Sequence, residues 1–273
     1  MGMPVIRVKA KNWRSSIAAL LAGAGIGVLG GLIGLGGAEF RLPLLLTVFG
    51  FVALEAVVLN KAISLVVVIS ALAFRDVAVP TGEVWAAWPI ALNLLAGSLV
   101  GAWVGADLAT RMSAPTLYRS IAALLVLVGG VLLFAHDRVT SGEPALDGLL
   151  LTAAGVLVGF GIGMVASFLG VAGGEFLIPT LVLLFGVDIK IAGSLSLAIS
   201  LPTMLVGLAR YSRDRSFEVI RRHIPFGLNM AAGSIVGALA GAYLLSVIST
   251  SFIPPMLAIL LFISAARIWR HSA

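Results

Sequence analysis

Apolar runs of about 20 residues, the length that carries a helix across a bilayer, recur near positions 16–36, 52–74, 85–109, 117–134, 148–169, 189–209, 223–246 and 253–269. Inside a bilayer no water satisfies the backbone, so runs of this kind can only be helices. Composition agrees: 60% of the residues are hydrophobic and 11% charged, with a mean hydropathy of +1.13, whereas a soluble domain carries about 25% charged residues. The chain reads as an all-α integral membrane protein. Its net charge of +6 lies in short stretches between the apolar runs, which marks topology rather than a nucleic-acid-binding face. The absence of cysteine excludes disulfides, thiolate metal sites and thiol catalysis, and leaves the redox compartment undetermined. Arg7, Lys9, Lys11 and Arg14 precede the first run, which is too long for a typical signal-peptide core and is kept as the first span.

Two shorter apolar pieces, "LPLLLTVFGF" after residue 41 and "IPTLVLLFGV" at 178–187, cannot cross as pure helix and occupy corresponding places in the chain. Sliding the sequence by 136 places sets "GLGGAEFRLPLLLTVFG" (34–50) over "GVAGGEFLIPTLVLLFG" (170–186), with 8 of 17 positions identical. The same shift sets "LNLLAGSLVGAWVGADL" (92–108) over "LNMAAGSIVGALAGAYL" (228–244), with 11 of 17 identical. Shared composition does not align Glu39 with Glu175, Pro43 with Pro179 and Asn93 with Asn229 in one register. The chain is therefore read as a duplication: a cytoplasmic segment 1–15, a first repeat 16–134, a linker 135–147 and a second repeat 148–270.

Positive charge places the N-terminus, the loop around Arg210, Arg213, Arg215, Arg221 and Arg222, and the tail with Arg267 and Arg270 on the cytoplasmic side. If 36–42 are extended and 43–50 helical, that stretch reaches roughly 35 Å and crosses the membrane. Each half then has five crossings and the repeats are inverted. If it only completes the first span, each half has four and the repeats are parallel. The inverted arrangement, with the broken short helices meeting at the midplane, is the expectation adopted.

Unwound backbone at membrane depth survives only against protein or a watery cavity, and paired Gly/Pro-interrupted segments in two halves mark a midplane binding site. Glycine lets backbone approach a ligand, and the start of a helix offers free N–H groups and a positive dipole end. Gly36, Gly37, Ala38, Gly173 and Gly174 are accordingly candidate contacts for a small anion, with Arg41 beside them. Gly97, Gly101 and Gly105, with Gly233, Gly237 and Gly241, form small-xxx-small series that read as helix packing.

Glu39 and Glu175 are candidates for proton coupling, because intramembrane carboxylates are costly and functional by default; the alternative is a cap on the helix dipole. Lys61 neutralises an anion, pairs with a glutamate, or snorkels to the interface, and Asn60 beside it is a candidate ligand. Ser194, Ser196, Ser200 and Thr203 can donate to an oxyanion, or bond across helices. Asn93 and Asn229 serve equally as interhelical glue. His136, His223 and His271 have no metal-ligand spacing, and no nucleotide-binding or nucleophile-elbow motif occurs, so no metal or cofactor is expected.

The Gly-rich stretch, Pro and short apolar helix, repeated in two halves and followed by "AGSLSLAISLPTMLVGLARY", resembles the TauE/SafE sulfite exporter family over roughly residues 20–270. The resemblance implies a multi-pass permease of the bacterial inner membrane for sulfite or a small organosulfur anion. Glu39, Glu175 and Arg41 stand where the family's commonest glycine run continues into apolar residues. The expected function is a secondary transporter, coupled to protons through Glu39 and Glu175 and partnered by the anion and the lipid bilayer, with a homodimer left open. An intramembrane enzyme using the glutamates as an acid pair, or a non-transporting subunit, is the alternative.

Overall fold

The computed structural model of the protein describes residues 13–33, 37–75, 85–134, 146–245 and 253–271; most of the expected N-terminal segment and inter-repeat linker lie outside them, as do Gly36 and His136. Within them the secondary structure is helical. Eight helices have 19 to 24 residues: α1 (Trp13–Ile33), α3 (Ala53–Arg75), α4 (Trp88–Arg111), α5 (Ala114–Phe134), α6 (Gly148–Leu169), α8 (Ile189–Tyr211), α10 (Ile224–Leu245) and α11 (Ile253–His271). Two have ten residues, α2 (Ala38–Thr47) and α7 (Gly174–Leu183), and α9 (Glu218–Arg222) is a short surface helix. On the described residues alone, five helices contain a stretch long and apolar enough to cross a membrane: Ala53–Leu72, Trp88–Arg111, Gly148–Leu169, Ile191–Tyr211 and Ile224–Gly241.

The bounds of α2 and α7, and those of α3 and α8, differ by the same 136 places found in the sequence. The turns that follow the short helices also match, with Phe51 N–H donating to the Leu45 carbonyl at 3.0 Å and Val187 N–H to that of Leu181 at 3.1 Å. Gly50 and Gly186 take left-handed backbone there, at φ 69° and 67°. Helix packing follows the same exchange. The closest pairs are α1 with α10 and α4 with α6, each joining the first long helix of one half to a later helix of the other; α3 packs on α8, and α5 on α11.

These pairs are close because glycine removes the side chains that would hold them apart. A Cβ at Gly97 would fall on the Val156 carbonyl and one at Gly101 on that of Phe160, while Gly159 and Gly163 face the backbone of Leu94 and Ser98 in return. The other pair repeats the pattern, with Gly233 against Leu20, Gly237 against Ala24 and Gly27 against Ser234. The small-xxx-small series are packing surfaces.

One geometric expectation is corrected. Residues 38–42 are not extended but form the first turn and a half of α2, with Pro43 inside the helix. Proline is tolerated because it lies close to the start, where its missing N–H and the clash with the preceding turn disturb only the carbonyl of Glu39. At about 1.5 Å per residue, a ten-residue helix covers about 15 Å, half of the roughly 30 Å hydrocarbon core. By itself the helix is half the length that a crossing needs.

Large apolar residues face outward as well as inward, whereas the polar residues of the broken segments and of α3 lie inside. Leu149, Leu157, Val236 and Leu239 are exposed, whereas Glu39, Arg41, Asn60, Lys61, Ser64, Ser167, Glu175 and Ser234 are buried. In water this would be inverted; against lipid tails it costs nothing to expose leucine, and only the protein interior supplies polar partners. At one end of the bundle Asp107 of α4 pairs with Arg111, N–O 2.8 Å, and with Arg210 of α8.

Candidate functional site

Each short helix begins on a glycine in left-handed backbone, Gly37 at φ 69° and Gly173 at φ 84°, a conformation that other residues adopt only under strain. Space demands glycine at Gly37 as well, since a Cβ there would strike the Ile26 backbone. α6 ends one turn earlier at Gly170, also left-handed at φ 63°, where Val171 N–H closes onto the Ala166 carbonyl at 3.0 Å; this is a Schellman stop. Thus the glycines seen in the sequence separate a spanning helix from a half-length one. Ala38 and Gly174 are the first residues of those half-helices.

Glu39 and Glu175 lie in the first turns of α2 and α7. Although 136 residues apart in sequence, their carboxyl groups lie close enough to act electrostatically on one another. No donor among the described residues reaches either oxygen of Glu39 or Oε2 of Glu175. Two carboxyl oxygens hydrogen-bond to each other only when one of them carries a proton. Their approach also brings two helix N-termini, each equivalent to about half a positive charge, onto a single acid pair. The place expected to receive an external anion is held by the protein's own carboxyls.

Arg41 acts electrostatically on Glu39, but its guanidinium donates elsewhere: from Nη1 to Ser64 Oγ at 2.9 Å and Asn60 Oδ1 at 3.4 Å, and from Nη2 to Ser234 Oγ at 3.1 Å. Asn60 donates in turn to the carbonyls of Ala38 at 3.0 Å and Leu169 at 2.9 Å. One amide therefore ties the start of α2 to the end of α6, one from each half. With both its donors and its oxygen engaged, Asn60 positions the site. The register-matched residues of the second half, Leu177 and Ser196, build no such clasp: Leu177 is buried in an apolar cluster and Ser196 Oγ donates to the Gly193 carbonyl at 2.9 Å.

Lys61 is fully buried, which rules out snorkelling. Its ammonium lies 3.3 Å from Ser167 Oγ and 3.4 Å from the Ala166 carbonyl, in the space that the missing side chain of Gly207 leaves open. Among the described residues it has no carboxylate within 4 Å. Its only compensation is therefore the negative, C-terminal end of α6. Tyr211 Oη donates to the Ser167 carbonyl at 2.9 Å, one of those freed where α6 breaks, and Ser167 Oγ ties α6 to α4 by donating to the Ala102 carbonyl at 2.8 Å.

Ser200 Oγ is buried without a hydrogen-bond partner, Ser98 and Thr203 pair at 2.9 Å, and Ser194 is buried nearby in sequence on α8. Asn93 bridges α4 to the Thr152 carbonyl of α6 at 3.1 Å, as interhelical glue, whereas Asn229 Nδ2 donates to the Pro225 carbonyl of its own helix at 2.7 Å. Ser64, Ser167, Tyr211 and Ser234 were not evident as site residues from sequence. The available signal was their polarity inside spans, which single serines and tyrosines do not distinguish from ordinary packing.

Residues 19–268 match the family described as Sulfite exporter TauE/SafE. No curated protein and no solved structure matches the chain.

Proposed function

Because the chain belongs to the TauE/SafE sulfite exporter family, we propose that it is a secondary permease that moves sulfite or a small organosulfur anion such as a sulfonate together with a proton. The observation that carries the coupling is the meeting of Glu39 and Glu175 between two half-helix starts. With one shared proton the pair bears one negative charge, which offsets the two half-charges of the helix ends. An anion that enters beside Lys61 adds negative charge in a medium of low dielectric constant. The pair answers by accepting a second proton, and releases it when the anion leaves on the other side.

Lys61, Ser200 and the hydroxyls of α8 are the groups we assign to the anion; Arg41 and Asn60 hold the framework. The halves, 16–134 and 148–270, are kept as inverted repeats, in which the break and the short helix together complete the fifth crossing of each half. The family supports a bacterial inner membrane, and the arginine-rich loop after α8 supports a cytoplasmic side for that loop and for both termini. Liposomes containing only this protein test the reading. Labelled sulfite or methanesulfonate should cross faster than in empty liposomes, and an inward proton gradient should accelerate entry. Absence of flux for every small anion would overturn it. The carboxyl contact is also what an intramembrane acid catalyst requires, and chemical turnover without flux would favour that second reading.

Lys61→Met keeps the stem and removes the charge. If the ammonium neutralises the anion, affinity should fall by about 1.5–3 kcal/mol, the range for a charged hydrogen bond, or roughly 10- to 150-fold. The fold should survive, since Lys61 has no ion-pair partner to orphan. Anion titrations of the purified variant, read by thermal shift, measure the change, and unaltered affinity would remove Lys61 from the site.

A further inference from the structure

The segment joining α8 to α10, "SRDRSFEVIRRH" at 212–223, carries four arginines and two acids, and in sequence it serves only as an orientation signal. In the folded chain it lines an open surface cleft of about 310 Å³ whose wall includes Arg213, Arg215, Arg221, Asp214, Glu218 and Phe217. That volume falls at the lower end of small-ligand pockets, about 300–1,000 Å³.

The charges around it do not cancel. Glu218 is paired with Arg222. Asp214 Oδ1 accepts from Ser216 N–H at 2.8 Å, capping the turn that follows. Arg213, Arg215 and Arg221 form no ion pair among the described residues. Arg213 is held instead over the Trp103 ring, 5.0 Å from its centre, a contact that orients a guanidinium without neutralising it. Three oriented or exposed arginines thus line one cleft against a single carboxylate, Asp214, that is not ion-paired among the described residues, which leaves the cleft net positive.

Position supplies the second part of the argument. The spanning stretch of α8 ends at Tyr211, one residue before the segment, and that of α10 begins at Ile224, directly after it. Ile224 is 49% exposed and meets lipid where the span starts. The cleft therefore lies at headgroup depth, where anionic lipid is concentrated and each nearby arginine contributes attraction. We propose that it binds the phosphate of an anionic phospholipid, with the arginines donating to the phosphodiester oxygens and Phe217 against the glycerol.

The full-length protein in mild detergent tests this by native mass spectrometry and thermal unfolding, with phosphatidylglycerol, phosphatidylcholine or inorganic phosphate added separately. Phosphatidylglycerol should be retained as a bound lipid and raise the midpoint by a few degrees, as expected for about 1 kcal/mol in a chain of this size. The variant R213Q/R215Q/R221Q should lose both effects, while Arg119→Gln on α5 keeps them. Should the triple variant not fold, each single substitution should still reduce retention several-fold. Equal retention of phosphatidylcholine, or undiminished retention of phosphatidylglycerol by folded variants, would overturn the site. Equal protection by inorganic phosphate would overturn the lipid as its occupant.

Discussion

Glu175→Gln should abolish the response of anion flux to a pH gradient while anion–anion exchange continues. The amide keeps the shape of the acid and can donate a fixed N–H to Glu39, so no buried acceptor is abandoned, a loss that would itself cost about 1–3 kcal/mol. What disappears is the ability to change charge. With one proton per anion, a gradient of one pH unit supports about tenfold accumulation, since each unit is worth about 1.4 kcal/mol; in the variant, accumulation should fall to the level without a gradient. Glu39→Gln also removes the carboxylate on which Arg41 acts, and should lower exchange as well as coupling. Accumulation measured in proteoliposomes distinguishes these outcomes. A Glu175→Gln protein with its full pH response would end the coupling scheme and return the glutamates to capping the helix dipoles.

Gly101→Ala should destabilise the protein far more than Gly161→Ala, although both add one methyl group to a helix. At Gly101 the methyl meets the Phe160 carbonyl oxygen of α6, a backbone atom that cannot rotate aside; at Gly161 nothing lies within 4 Å. Overpacking of this kind costs about 1–3 kcal/mol, against roughly 0.5 kcal/mol or less for a change at an open site. Combining Gly101→Ala with Gly237→Ala, which collides with the Ala24 carbonyl of α1, should be nearly additive, because the two substitutions lie in separate helix pairs. Thermal unfolding in detergent ranks the variants. Equal midpoints for Gly101→Ala and Gly161→Ala would show that α4 and α6 are free to move apart.

The eight long helices were legible as hydropathy, because a bilayer imposes one length and one backbone structure on whatever crosses it. The break before each short helix was legible too, in Gly37, Gly173 and the prolines that follow. Its form was not. The sequence suggested an extended stretch over 36–42, yet the chain is helical from Ala38, because a proline six residues into a helix disturbs only its first turns.

Sequence alone determined that this chain lives in lipid, repeats at an offset of 136 and buries glutamate, arginine and lysine where they are costly. Only the tertiary structure decided what those charges meet. Glu39 reaches Glu175 because two half-helices from different repeats converge, and Arg41 reaches Ser234 across 193 positions. Lys61 turns inward because Gly207, on another helix, has left room for its ammonium. Hydropathy records how much a residue avoids lipid, but not the direction of its side chain; that direction is set by the gaps and acceptors that neighbouring helices present once they have packed.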